Sequence, residues 1–155
     1  MKLYSLIKFH TLLTAIILVF NSCSKEDAKI SNDPNDLSGD WKVAYFLDNG
    51  NKITKTEKNT WPDVNNGDIT ASFTITNDNG SGTISGISVT NNYHGEYTIL
   101  ENGKINIEGV YSTYIAEPEW TSLYRLHEVE NFEIKNGMLL ISYNNGKNII
   151  AFQRT

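Results

Sequence analysis

Repeated asparagine–glycine pairs constrain the fold of this chain more than any other feature. They include Asn79-Gly80, Asn102-Gly103, Asn136-Gly137 and Asn145-Gly146. Both residue types tolerate the positive φ angles that two-residue hairpin turns require, so each pair predicts a reversal between neighbouring antiparallel strands. We therefore expect a β-meander, in which most strands pair with the next strand along the chain.

Apolar and polar residues alternate between these turns with the period of two that is typical of half-buried strands. One apolar series comprises Trp41, Val43, Tyr45 and Leu47, and a second comprises Ile69, Ala71, Phe73 and Ile75. Further strands are predicted at Gly82–Ser88, Tyr93–Leu100, Lys104–Glu108, Tyr111–Ile115, Asn131–Lys135, Met138–Asn144 and Asn148–Arg154. The stretch Asn49–Asp68 is predicted to be a long polar loop that carries Trp61.

One segment departs from this period and predicts an α-helix from about Pro118 to Glu128. Its residues Trp120, Leu123, Tyr124 and His127 recur at helical spacing, and proline suits a first helical turn. Glu117 and Glu119 are better explained as capping and dipole partners of this helix than as an acid–base pair. The expected fold class is mainly β (α+β), an antiparallel meander that forms a half-open β-barrel of about eight strands with one α-helix near 118–128.

The first 22 residues are typical of a lipoprotein signal peptide. Lys2 and Lys8 precede an apolar stretch that is shorter than the roughly 20 residues needed to span a bilayer. Ser22 is the small residue expected before the lipid-modified Cys23, which is the only cysteine in the chain. Two alternatives stay open: ordinary secretory cleavage after Ser22, which the bulky Phe20 disfavours, and an uncleaved anchor helix, which the short length disfavours.

The remaining chain divides into a flexible tether over 23–36 and one folded domain over 37–155. The tether begins Ser24-Lys25-Glu26-Asp27, which resembles a surface-export signal of outer-membrane lipoproteins but also suits a plain solvated linker. We therefore expect a protein anchored in the outer membrane by lipid on Cys23, either on its inner face or exposed at the cell surface. Because Cys23 carries the lipid, no disulfide is expected.

Charge and composition exclude several classes of function. Of the 13 Lys and Arg residues, removal of Lys2 and Lys8 leaves 11 against 18 Asp and Glu, a net charge of −7. A nucleic-acid binder would need a basic stripe, which this chain lacks. No nucleophile–base motif occurs, and His94 and His127 are too isolated to predict a metal site. We expect neither an enzyme nor a protein that needs a cofactor or a metal.

Exposed aromatic residues are the remaining functional signal. Trp61 and Tyr114 are poorly explained by the strand period, and aromatic residues on loops often mark recognition surfaces. The candidate binding surface comprises Trp61, Asn91, Asn92, Tyr93, His94 and Tyr114. Its partner would be a protein or a small apolar ligand, in addition to the membrane that holds Cys23.

Several landmarks resemble, in order, those of the META/HslJ family of small bacterial envelope proteins. Leu37-Ser38-Gly39-Asp40-Trp41 resembles the family's opening L-x-G-x-W motif. The stretches 84–86 and 91–97 resemble its central glycine-rich block, and 113–119 resembles T-x-x-A-C-P-E. Phe132-Glu133-Ile134, Met138–Ile141 and Phe152-Gln153-Arg154 resemble its closing strands.

This resemblance implies a non-catalytic domain associated with envelope stress or drug tolerance, folded as a β half-barrel with one helix. The family's two cysteines, which are thought to pair, correspond here to Thr90 and Glu117. A second resemblance competes, because Gly39-x-Trp41 before an antiparallel meander is also similar to lipocalin-like domains. Those domains enclose one apolar ligand in an eight-stranded barrel, so the alternative function is a lipocalin-like carrier.

Overall fold

The computed structural model describes residues 29–74, 77 and 80–155. The predicted signal peptide and Cys23 lie outside these residues, as does Ile75 of the second alternating series. Within the described residues, no helix is both long enough and apolar enough to cross a membrane.

Ten antiparallel strands form one curled sheet in the described part of the chain. The strands are β1 (Ile30–Ser31), β2 (Gly39–Asp48), β3 (Asn51–Ile53), β4 (Ile69–Phe73), β5 (Ser81–Ser88), β6 (Asn91–Ile99), β7 (Ile105–Ser112), β8 (Val129–Lys135), β9 (Met138–Tyr143) and β10 (Asn148–Arg154). The connections hold helix α1 (Pro34–Leu37) and 3-10 turns at Asn65–Gly67, Glu101–Gly103, Glu119–Leu123 and Leu126–Glu128. The predicted mainly antiparallel β half-barrel is confirmed.

The sheet curls until its two halves almost meet. Strand order is β1-β8-β9-β10-β2-β4-β5-β6-β7, and β3 pairs with β2 beside this path. A bridge between Lys104, just before β7, and Asn131 of β8 joins the two sides of the gap. The barrel is therefore held across this seam at one position, while a continuous ladder joins the other neighbouring strands.

The predicted turns adopt the expected backbone conformations. Asn136 and Gly137 have φ angles of 53° and 77° where β8 reverses into β9, and Asn102 and Gly103 have φ angles of 63° and 72° between β6 and β7. Asparagine and glycine are the residues that reach this left-handed region at least cost. Asn145 and Gly146 have φ angles of 56° and 76° between β9 and β10. At the fourth pair, before β5, Gly80 has a φ angle of 72°, whereas Asn79 lies outside the described residues.

A bulge in β2 corrects the first alternating series. Ala151 pairs with Tyr45 and Phe152 pairs with Val43, which leaves Ala44 as an extra residue in β2. The bulge shifts the alternation by one residue, so Phe46 is fully buried and Tyr45 and Leu47 lie on the outer face. The strict period of two predicted the opposite orientation beyond Ala44, because it cannot register an inserted residue.

A second bulge joins two strands that the sequence predicts separately. Glu108 pairs with Glu96 and Tyr111 pairs with His94, so Gly109 and Val110 stand opposite Gly95 alone. Gly109 takes a φ angle of 58°, which suits the first residue of a glycine bulge. The predicted strands Lys104–Glu108 and Tyr111–Ile115 are thus one strand, β7, which ends at Ser112.

The folded domain begins earlier than predicted. The tether was expected to reach residue 36, but Ile30 and Ser31 pair with Lys135 and Ile134 of β8. Helix α1 follows, capped by Asp33, whose side chain accepts a hydrogen bond from the Asn35 N–H. Main-chain pairing with the exposed edge of β8 orders this segment, and its polar composition gives no sign of such pairing.

The opening motif around Trp41 closes one end of the barrel. Trp41 is fully buried, its indole N–H donates to the Leu37 carbonyl at 2.8 Å, and the Arg154 guanidinium lies 4.3 Å from the centre of its ring. Gly39 has a φ angle of 120°, and a Cβ atom there would approach Arg154 Nη1 to 2.6 Å. The backbone conformation therefore favours glycine, and a side chain at this position would displace the Arg154 guanidinium.

The prediction of an α-helix over 118–128 is wrong. The structure has two 3-10 turns, Glu119–Leu123 and Leu126–Glu128. Trp120 and Leu126 are buried, whereas His127, which the helical spacing placed on the apolar face, is exposed. The tighter turn of three residues changes which side chains share a face, so the spacing of 3.6 residues assigned them incorrectly.

Candidate functional site

The antiparallel topology gives the barrel two distinct ends. At the near end, the chain enters through Lys29, turns between β8 and β9 and leaves through Arg154. The far end holds the loop over 54–68, the turn at Val89–Thr90 and the segment over 113–128. β8 connects the two ends with seven residues, which corresponds to about 20 Å along the strand.

Exposed apolar side chains project from the far end. Tyr114 is fully exposed, Tyr111 is 77% exposed and Ile115 is 59% exposed. We call these three residues the aromatic loop. Trp61 and Val64 are also partly exposed at the same end, in the loop that joins β3 to β4. The main-chain N–H of Trp120 donates to the Asn59 carbonyl at 2.8 Å. This bond connects the segment over 113–128 to the loop between β3 and β4.

Asn91 holds the aromatic loop in place from inside the barrel wall. Its side chain is buried, and its Oδ1 atom accepts hydrogen bonds from Thr113 Oγ1 at 2.9 Å and from the Ile115 N–H at 2.8 Å. Its Nδ2 atom donates to the Ile115 carbonyl at 2.8 Å and to Glu117 Oε1 at 2.8 Å. These four bonds use the full capacity of the amide, so Asn91 is a structural clamp.

Glu117 completes the clamp on the other side of the same loop. Its carboxylate accepts from the Asn91 N–H at 3.0 Å and from Ser88 Oγ at 2.9 Å. Thr90 adds a bond from its hydroxyl to the Ala116 carbonyl at 2.9 Å. The predicted role of Glu117 at a helix start is thus wrong, because the carboxylate binds the turn between β5 and β6. We call Thr90, Asn91 and Glu117 the loop clamp.

The loop clamp brings together two segments that are distant in sequence. The Thr90 N–H lies 3.4 Å from each carboxylate oxygen of Glu117. The two residues are 27 positions apart in sequence. Hydrogen bonds thus join the turn between β5 and β6 to the segment that follows β7.

The predicted binding residues fall into two groups. Asn92, His94, Tyr114 and Trp61 are exposed, and His94 stands opposite Tyr111 across the β6–β7 ladder. Asn91 and Tyr93 are buried, so they support the surface but cannot form it. Sequence reasoning missed Tyr111 and Ile115, because it placed both in a regular strand, where alternate residues should be covered.

Beneath the far end, the buried Tyr93 pairs with Tyr124, whose side chain is partly buried against the core. Its hydroxyl lies 2.5 Å from the Tyr124 hydroxyl and donates to the Thr70 carbonyl at 2.7 Å. Burial raises the pKa of Tyr93 well above its usual range, and burial together with the neighbouring Tyr93 raises the pKa of Tyr124. Both phenols therefore stay protonated and act as packing groups with a polar link.

Aromatic side chains fill the barrel interior. Those that are fully buried are Trp41, Phe46, Tyr97, Phe132 and Phe152. Trp120 packs edge-on against Phe46, with ring centres 4.7 Å apart. In the described part of the chain, these side chains occupy the interior of the barrel.

The far end also carries an open polar cleft of about 560 Å³ beside the segment over 113–128. Its lining includes Asp48, Arg125, Glu130, Tyr143 and Asn148. The buried Asn148 donates to Asp48 Oδ1 at 2.7 Å, and Arg125 pairs with Glu128 at 3.1 Å. Most of these polar groups already have partners, so the cleft shows no convergent set of free ligands.

Within the described residues, no group of three or more His, Cys, Asp or Glu side chains could hold a metal ion.

Comparison with known proteins supports the fold. No family model matches the chain, and no curated protein matches it. Among solved structures, the chain is similar to a crystal structure described as a DUF4847 family protein from Bacteroides vulgatus ATCC 8482. The match covers 76% of this chain and 93% of that one, with 17% sequence identity and a TM-score of 0.52. At this identity the likeness shows a shared fold.

Proposed function

We propose that this chain is a bacterial envelope lipoprotein whose META/HslJ-like domain acts by binding a partner protein. In this proposal, lipid on Cys23 holds the protein in the outer membrane. The domain has no catalytic role, and its far end presents the aromatic loop to the partner. The observation that carries the proposal is that Tyr111, Tyr114 and Ile115 are exposed, while hydrogen bonds from Asn91 hold the chain at Thr113 and Ile115.

Physical reasons connect this observation with binding. Tyrosine is enriched at protein interfaces, because its ring buries a large area and its hydroxyl keeps a polar contact. A surface that is already ordered loses less conformational entropy when a partner binds. The loop clamp provides this order, since it fixes both the carbonyl and the N–H of Ile115.

The loop clamp also supports the family resemblance. The positions of the two family cysteines are distant in sequence, yet Thr90 and Glu117 lie within hydrogen-bonding distance. The antiparallel pairing of β6 with β7, in which Tyr93 stands opposite Ser112, is what brings these positions together. Hydrogen bonds join the two segments, which suits a protein whose only cysteine, Cys23, lies before the domain.

The lipid anchor is tested by metabolic labelling. Cells that express the full chain are grown with labelled palmitate, and the protein is compared with the Cys23→Ser variant. We expect label and membrane fractionation in the wild type and neither in the variant. A labelled Cys23→Ser protein, or an unlabelled wild type, would contradict the anchor.

The binding surface is tested by site-specific photo-crosslinking in intact cells. A photoreactive phenylalanine analogue replaces Tyr114, and the matched control carries it at Asn106, an exposed residue of β7 near the other end. We expect one discrete adduct from position 114 that excess purified wild-type domain suppresses. Equal adducts from both positions, or an adduct that the purified domain does not suppress, would count against the far-end surface.

A further inference from the structure

The near end has an exposed apolar pair of its own. Ile30 is 55% exposed and Leu100 is 54% exposed. Ile30 pairs with Lys135 at the end of β8. The turn that follows Leu100 reaches the same segment, since a Cβ atom on Gly103 would lie 2.8 Å from Asn32 Nδ2. The two apolar side chains therefore stand on neighbouring loops at the end where the chain enters the barrel.

Lysine residues surround this pair. Lys29 precedes Ile30, Lys135 pairs with Ile30, and Lys104 follows the turn after Leu100. The same segments also carry the acidic residues Asp33, Glu101 and Glu133. Among the described residues, none of the three lysine side chains forms an ion pair or a hydrogen bond. In contrast, Lys42 and Lys55 of the far half are both paired with Asp68. We call Lys29, Ile30, Leu100, Lys104 and Lys135 the basal patch.

The position of the basal patch relative to Cys23 limits what can cover it. Five residues separate Cys23 from Lys29, so even a fully extended connection spans only about 20 Å. Lys29 itself is tied to the barrel, because its carbonyl accepts a hydrogen bond from the Asn136 N–H at 3.3 Å. If lipid holds Cys23 at the bilayer surface, the near end cannot move far from the headgroups.

We propose that the basal patch docks on the bilayer that carries the lipid anchor. Ile30 and Leu100 enter the boundary between headgroups and acyl chains, where exposed apolar side chains are stabilised. The unpaired ammonium groups of the lysines meet lipid phosphates, which attract basic residues near a membrane surface. Docking orients the barrel and holds the aromatic loop away from the membrane. This inference rests on the proposed lipid anchor.

The test places a tryptophan at each end of the full-length acylated protein. Leu100→Trp reports on the basal patch, and Tyr114→Trp is the matched control at the far end. Both positions are exposed, so neither change disturbs the core. The proteins are reconstituted in vesicles of phosphatidylcholine and phosphatidylglycerol whose acyl chains carry bromine close to the headgroups. The fluorescence of the wild type is subtracted from that of each variant. The fluorescence that remains, which comes from the added tryptophan, is compared between brominated and unbrominated vesicles.

We expect the added fluorescence of Leu100→Trp to be quenched several-fold more than that of Tyr114→Trp. Equal quenching at both positions, in protein that mass spectrometry shows to be acylated and that floats with the vesicles, would overturn the docking and leave the anchor intact. Protein that is not acylated and does not float would overturn the anchor and the docking together. The failures of the two proposals are therefore distinguishable.

The contribution of the lysines is tested in the Leu100→Trp background. Replacement of Lys29 and Lys104 by Glu should reduce the quenching, whereas Lys58→Glu, an exposed charge change in the far-end loop, should not. If replacement of both lysines leaves the quenching unchanged in vesicles rich in phosphatidylglycerol, the lysines do not contribute to docking through their charge.

Discussion

Asn91 donates two hydrogen bonds to the same oxygen of Glu117, one from its main-chain N–H at 3.0 Å and one from its side-chain amide at 2.8 Å. The first bond fixes the start of β6, and the second fixes the end of the aromatic loop. One residue pair thus joins the barrel wall to the surface that we propose as the binding site. The pair should matter both for stability and for the order of the loop.

Replacement of Glu117 by Ala should destabilise the domain by about 1–3 kcal/mol, because donors in the turn between β5 and β6 lose their acceptor. Glu117→Gln, which keeps one acceptor oxygen, should cost less. Urea unfolding followed by fluorescence measures both. In a double-mutant cycle with Asn91→Ala, the two losses should be less than additive, and strict additivity would show that the pair does not act as a unit.

A disulfide should form between cysteines placed at positions 90 and 117. The Thr90 hydroxyl bonds the Ala116 carbonyl at 2.9 Å and the Thr90 N–H lies 3.4 Å from the Glu117 carboxylate, so the two segments are neighbours and the bridge that the META resemblance implies can be tested. The variant is Thr90→Cys with Glu117→Cys on a Cys23→Ser background, and intact mass under oxidising and reducing conditions shows the bridge. Asn92→Cys with Glu117→Cys is the control, because Asn92 points to the outer face and should stay reduced. A bridge in the control alone would contradict the geometry.

Replacement of Gly39 by Ala should destabilise the domain more than replacement of Gly137 by Ala. Both glycines have positive φ angles of 120° and 77°, but a Cβ atom on Gly137 meets nothing within 4 Å, whereas one on Gly39 meets Arg154. Backbone strain of about 1–2 kcal/mol is expected at Gly137, which lies near the left-handed helical region, and at least as much at Gly39, whose φ angle lies outside it. The displacement of Arg154 from Trp41 adds to the strain only at Gly39. Equal urea midpoints for the two variants would argue against the Arg154 contact.

Stability should fall as the pH rises above about 10, where tyrosine ionises in the unfolded chain. Burial raises the pKa of Tyr93 and Tyr124 in the folded state. The folded protein then holds protons that the unfolded chain releases, so the stabilisation present below that pH is lost as the pH rises towards the folded-state pKa. Tyr124→Phe should flatten this decline in urea midpoints, whereas Tyr114→Phe, at a fully exposed position, serves as the control. An unchanged decline in Tyr124→Phe would contradict the buried pair as its source.

Much of the fold could be predicted, because its signals are local. The Asn136-Gly137 turn requires only two adjacent residues with the right backbone preferences, and the structure has it as expected. The orientation of Phe46 could not be predicted, because the bulge at Ala44 depends on pairing with Ala151 and Phe152 from the other end of the chain. The alternation of apolar and polar residues in the sequence shows no break at the bulge.

The candidate site was predictable only in part, for a related reason. Trp61 and Tyr114 stand out as aromatic residues without a place in the strand pattern, and both are exposed. Glu117 gave no local sign of its role, since its partners Ser88 and Asn91 are 29 and 26 residues away. The outward position of His127 depended on a 3-10 turn in place of an α-helix, a difference that spacing alone does not reveal.

The chain enters and leaves the barrel side by side. Lys29 and Arg154 line the same shallow cleft, and the Thr155 N–H donates to the Asp40 carbonyl at 3.2 Å. A short linker could therefore join residues 155 and 29, and new termini could be opened at the exposed Asn145-Gly146 hairpin on the opposite end. Such a circular permutant would keep the barrel but reverse its orientation relative to any attached anchor.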